Sequence, residues 1–115
     1  MEQQRIGAKS LSREEYILKV LWAYRQTPGT TGTVRRPDRQ LAAELQERGV
    51  PLDVVENAFI LAATRRLIRP EGSLPLGTIR SLAYFLPVIE EVLNSPISPG
   101  YFQYLRHKIQ RLTSR

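Results

Sequence analysis

The sequence predicts an all-α fold: a single compact domain of about five helices, spanning residues 1–115 and containing a helix–turn–helix-like pair. Three observations lead there. Apolar residues recur at helical spacing in one segment after another, Gly- and Pro-rich links separate those segments, and no strand-like alternation runs beyond a few residues. A winged-helix-like variant of the same arrangement stays open, because the loop before the second helix has room for a short extended piece.

Residues 1–10 are polar and are expected to be flexible. In SLSREEYILKVLWAYRQ, Ser12 and Glu15 have capping-box spacing, and Leu11 is placed for a hydrophobic staple. Tyr16, Ile17, Val20, Leu21 and Tyr24 form one apolar stripe, which Trp22 is expected to widen. This predicts a first helix over Arg13 to Gln26. TPGTTGTVRRP is a loop, broken by Pro28, Gly29 and Gly32.

A second helix should open at Pro37, bury Leu41, Ala42 and Leu45, and end at Gly49. Asp53 is the expected N-cap of the third, with Glu56 completing the box. That helix, VVENAFILAATRRLIR, is apolar all round at residues 58–63, which suits a central, buried element stopped by Pro70. A fourth segment, TIRSLAYFLPVIEEVLN, should kink or break near Leu86 because Pro87 lies inside it. After SPISPG, the last helix places Tyr101, Leu105, Ile109 and Leu112 on one stripe.

Enzyme classes fail on inventory. There is no cysteine and one histidine, His107, so thiolate, Ser-His-Asp and HExxH chemistry have no support. Asp38 and Asp53 sit at helix starts, where capping explains them, and Glu90 and Glu91 point about 100° apart on a helix. No phosphate-binding glycine fingerprint is present. The expectation is a non-enzymatic protein with no cofactor and no metal. The longest apolar runs fall short of a membrane span, and MEQQRIGAKS has no apolar signal core, which together predict a cytoplasmic protein without a membrane partner.

The formal charge is +6 and the isoelectric point about 10.2, so a polyanion partner is expected. The excess sits at the ends: residues 1–35 hold six cations and three anions, and residues 101–115 four cations and no anion. The helix–turn–helix resemblance in RQLAAELQERGVPLDVVENAFILAATRRL has a defect for base reading. Its recognition positions hold Asp53, Val54, Val55 and Glu56, leaving Asn57 as the one useful side chain. Two packed helices are therefore the better reading of that pair.

Phosphate contacts are expected from Arg35, Arg36 and Arg39 at the start of the second helix, and from Arg106, Lys108 and Arg111 on the last. Arg115 extends that basic end. Tyr101, Phe102 and Tyr104 interleave with those cations. Rings beside cations suit single-strand stacking, but a core role is favoured for most of them. In ATRRLIRP, Arg65, Arg66 and Arg69 favour the negative end of a helix dipole, with Arg66 and Arg69 as secondary contacts.

The segment RRLIRPEGSLPLGTIRSLAYFLPVIEEVL resembles the C-terminal region of bacterial helix–turn–helix or replication-associated proteins of plasmids and mobile elements. The residues that carry the likeness are Ile79, Arg80, Ser81, Leu82, Tyr84, Phe85, Leu86, Pro87, Val88, Glu90 and Glu91. It implies DNA replication or regulation as the setting and supplies no catalytic residue. The competing expectation is a helical adaptor, or a homodimer, built on the region around Tyr84 to Leu93.

Overall fold

The computed structural model describes residues 11–94 and 99–113. The expected flexible start, most of the SPISPG link and Arg115 lie outside the described residues. Within them the chain is all-helical and forms one compact unit of five α-helices: α1 (Arg13–Gln26), α2 (Arg36–Glu47), α3 (Leu52–Leu67), α4 (Leu86–Asn94) and α5 (Pro99–Thr113). A 3-10 turn, Leu82–Phe85, leads directly into α4.

Helix α1 starts as its sequence dictates. The Ser12 hydroxyl accepts from Glu15 N at 3.1 Å, and Ser12 N donates to the Glu15 carboxylate at 2.9 Å. Those bonds hold the Glu15 carboxyl below its ordinary pKa. The buried stripe is the expected one, but Trp22 is 64% exposed. At 100° per residue Trp22 lies nearly opposite the centre of the Tyr16–Tyr24 stripe, so it cannot widen it.

Helix α2 ends in a Schellman motif: Val50 N donates to Leu45 O at 3.1 Å and Gly49 N to Gln46 O at 3.0 Å. Gly49 takes φ +76°, the left-handed conformation that glycine adopts at low cost. The turn is fastened to α1 by the Tyr16 hydroxyl, which donates to Val50 O at 2.7 Å. Burial pushes the Tyr16 phenol up to about 12. The phenol ionises near 10 in the unfolded chain, so between pH 10 and 12 the unfolded state releases a proton that the folded state keeps. Stability should therefore fall across that window, and Tyr16→Phe should flatten the fall when urea midpoints are followed against pH.

Helix α3 begins two residues earlier than the capping pattern suggests. Its N-cap is Pro51, with no side-chain bond, and Asp53 stands inside the first turn. Val54 N and Val55 N donate to Pro51 O instead, at 3.1 and 3.3 Å. Proline's fixed φ suits that cap position, and Asp53 still favours the positive helix end. Val55, Ala58, Phe59, Leu61, Ala62, Ala63 and Thr64 are buried, making α3 the central element, packed by α1, α4 and α5. It stops at Leu67, before Arg69 and Pro70 are reached.

The fourth segment departs most from expectation. Thr78 to Ser81 are not helical. Ile79 instead pairs side by side with the loop after α1: Ile79 N donates to Gly29 O at 2.7 Å, and Thr31 N to Ile79 O at 3.0 Å. This one parallel bridge stands where a winged helix would carry a hairpin, and no strand forms among the described residues. Pro87 then falls in the first turn of α4, where a missing N–H costs little. An aromatic trio, Tyr24, Phe59 and Phe85, locks α1, α3 and the 3-10 turn together.

Candidate nucleic-acid interface

The loop between α1 and α2 is held by its own threonines. Thr30 Oγ1 donates to Thr27 O at 3.0 Å, Thr27 Oγ1 to Ala23 O at 2.8 Å, and Arg25 Nε to Gly32 O at 3.2 Å. The chain then turns into α2, where Asp38 acts as a bolt. One carboxylate oxygen accepts from Arg35 N and the other from Leu82 N, each at 2.9 Å. Asp38 is 2% exposed, so its charge is spent on these two backbone donors inside the protein.

Ile79 is thus pinned to the loop and Leu82 to Asp38, both buried, and exposed Arg80 lies in the chain between the two pins. Arg35, Arg36, Arg39 and Arg80 are all exposed at this end of the molecule. Among the described residues none of the four makes an ion pair. The N-terminal end of α2 adds partial positive charge beside them. Spacing along the sequence gives no hint of Arg80, because the Ile79 bridge and the Asp38 bond that place it are long-range.

The arginines at the end of α3 are used differently. Arg65 makes two bonds to Glu91 of α4, at 2.9 and 2.6 Å, and each partner stabilises the charged form of the other. Arg66 donates to Gly77 O at 2.7 Å and to the Tyr84 hydroxyl at 3.3 Å, with its guanidinium 5.8 Å from the Tyr84 ring centre. A Cβ on Gly29 would lie 3.1 Å from Arg66 Nε, and Gly29 has φ +95°. The positive φ favours glycine there, and a Cβ would also press on the Arg66 side chain. Arg69 bonds to Leu74 O. Arg66 and Arg69 therefore hold the 68–81 loop.

On α5 the basic residues divide. Arg106 lies beside Glu56 of α3, whose carboxyl stays above its ordinary pKa because burial outweighs the pull of Arg106. Lys108 and Arg111 share the opposite flank with Tyr101 and Tyr104. Of the three rings, Phe102 is buried, whereas Tyr101 is 44% and Tyr104 53% exposed. The core role expected for most of them holds for Phe102 alone. With Leu105, Phe102 seats α5 on α3.

That seat bears on the helix–turn–helix pair. Glu56, Phe59, Ile60 and Ala63 of α3 line a cleft with Arg106 and Ile109 of α5. Helix α5 therefore flanks α3 along one side, and of the recognition positions only Glu56 lies in that cleft. The region from Tyr84 to Leu93 is also partly used: Phe85, Ile89 and Val92 are buried, leaving Tyr84 exposed. No helix among the described residues is long and apolar enough to cross a membrane.

Fold and site together define a small all-helical domain with a cluster of exposed arginines at one helix start. Compared with protein-family models, with curated proteins and with solved structures, the chain matches nothing.

Proposed function

We propose that this chain is a non-enzymatic, cytoplasmic DNA-associated protein that grips duplex DNA through its phosphates. The observation that carries the reading is the exposed set Arg35, Arg36, Arg39 and Arg80 at the start of α2. No acid among the described residues pairs with it, and its nearby carboxylate, Asp38, is buried. Guanidinium groups beside a helix N-terminus suit phosphate oxygens, and such contacts carry no base information. The acids and valines at the start of α3, Asp53 to Glu56, likewise favour weak sequence preference. The likeness of residues 65–93 to replication-associated proteins of plasmids and mobile elements fits a replication or regulation setting. Arg106, Lys108 and Arg111 add positive charge on α5, away from the α2 cluster.

The test is a fluorescence-anisotropy titration against a labelled duplex. Four phosphate contacts predict an affinity that falls roughly a hundredfold between 50 and 200 mM salt. No measurable binding at low salt would end the proposal.

A second reading, a helical adaptor or homodimer, draws on one observation. Ile68, Leu74, Leu76 and Tyr84 expose apolar surface around the 68–81 loop, with Leu74 82% exposed. Sedimentation equilibrium showing a monomer across micromolar concentrations would remove the homodimer.

A further inference from the structure

The solvent-facing flank of α5 carries a pattern that a duplex phosphate grip leaves unexplained. Tyr101, Tyr104, Lys108 and Arg111 follow one another at three- and four-residue steps and so share one side of the helix. The Tyr101 and Tyr104 rings are 6.4 Å apart, centre to centre, and inclined by only 32°, which gives two neighbouring π faces of similar tilt. Lys108 Nζ lies 5.8 Å from the centre of the Tyr104 ring, and Arg111 follows within one turn. No acidic residue occurs from 101 to 115.

Rings that serve only to hold a helix on its core are buried, as Phe102 is. Tyr101, which also meets the Phe102 ring edge-on at 6.1 Å, is 44% exposed and Tyr104 53%, so much of each ring faces solvent. Aromatic faces alternating with cations match the two halves of an unpaired nucleotide: the base stacks on the ring and the phosphate meets the ammonium or guanidinium. An acidic protein partner would use the cations but has no need of paired π faces. A base within a duplex is already stacked on both sides and cannot use them.

We propose that this flank of α5 is a stacking platform for single-stranded nucleic acid, separate from the duplex contacts at α2. Tyr101 and Tyr104 take successive bases, and Lys108 and Arg111 take the phosphates between them. Stacking of this kind tolerates any sequence, because every base has a π face.

Anisotropy with labelled twenty-residue oligothymidylate, run beside a duplex of equal length, tests this on the full chain. Tyr104→Ala and Tyr104→Leu should each weaken oligothymidylate binding by about tenfold while duplex binding stays within about twofold. Tyr104→Phe, which keeps the π face, should bind as the wild type does. Leucine matching phenylalanine would mean that apolar bulk suffices, and would overturn the platform. So would equal losses on both ligands, or a wild type that does not bind oligothymidylate. Binding of oligothymidylate without the duplex would instead uphold the platform and remove the grip at α2.

Discussion

Replacing Phe85 by alanine should cost about 3–5 kcal/mol of folding stability, read from urea midpoints at an unchanged m-value. The ring is fully buried and meets Phe59 edge-on at 4.8 Å, Tyr84 at 5.2 Å and Tyr24 at 6.1 Å. It joins three elements far apart in sequence, so the space it leaves cannot be closed by shifting one helix alone. A domain of this size has about 5–15 kcal/mol in total, which puts the variant near the edge of folding at 37 °C. Phe85→Leu, which keeps most of the volume, should retain the larger part of that stability. An alanine variant within about 1 kcal/mol of the wild type would contradict the packing described above.

The second large effect is polar. Asp38→Ala strips the acceptor from Arg35 N and from Leu82 N, two donors far apart along the chain that one carboxylate ties together. Leu82 N is buried and costs about 1–3 kcal/mol when left unmet, whereas Arg35 N is only part-buried and costs less. A loss of about 2–4 kcal/mol is therefore expected. Asp38→Asn keeps one acceptor oxygen and should fall between the alanine variant and the wild type. Asp38→Ala also removes one of the two pins that place Arg80, leaving the Ile79 bridge to hold it alone. Duplex affinity should drop with stability, although no charge of the arginine cluster has been touched. Unchanged stability in Asp38→Ala would show that water satisfies both donors and that the bolt is dispensable.

Phe85 and Asp38 mark the boundary of what the sequence discloses. Helix α1 is legible to the residue, because the Ser12–Glu15 box and the 3.6-residue stripe are both local signals. Pro87 forecasts the break at Leu86 for the same reason. Trp22 is misread when direction is neglected: it follows Leu21 in sequence but points nearly opposite the stripe. Ile79, Leu82 and Phe85 have an apolar spacing that a helix could use, and the long-range bridge of Ile79 to Gly29 and Thr31 holds the start of that segment extended. Composition identifies Asp38 as a helix-start residue, but nothing local shows that its second oxygen reaches Leu82.

The arginines follow the same rule. Arg35, Arg36 and Arg39 are close in sequence and read as a group. Arg80 joins them through two tertiary contacts that no spacing encodes. Arg66 and Arg69 look like free cations at a helix end, yet they bond to Gly77 O and Leu74 O across the following loop. Exposure of Tyr104, too, depends on which side of α5 meets α3, and Phe102 and Leu105 decide that side.

The most direct measurement is the salt dependence of duplex affinity for the wild type and for a chain in which Arg35, Arg36, Arg39 and Arg80 are all replaced by glutamine. For the wild type, log affinity should fall against log salt with a slope of about −3.6 from these four contacts, and the variant should lose most of that slope. A variant that keeps the wild-type slope would place the phosphate contacts elsewhere and contradict the interface at the start of α2.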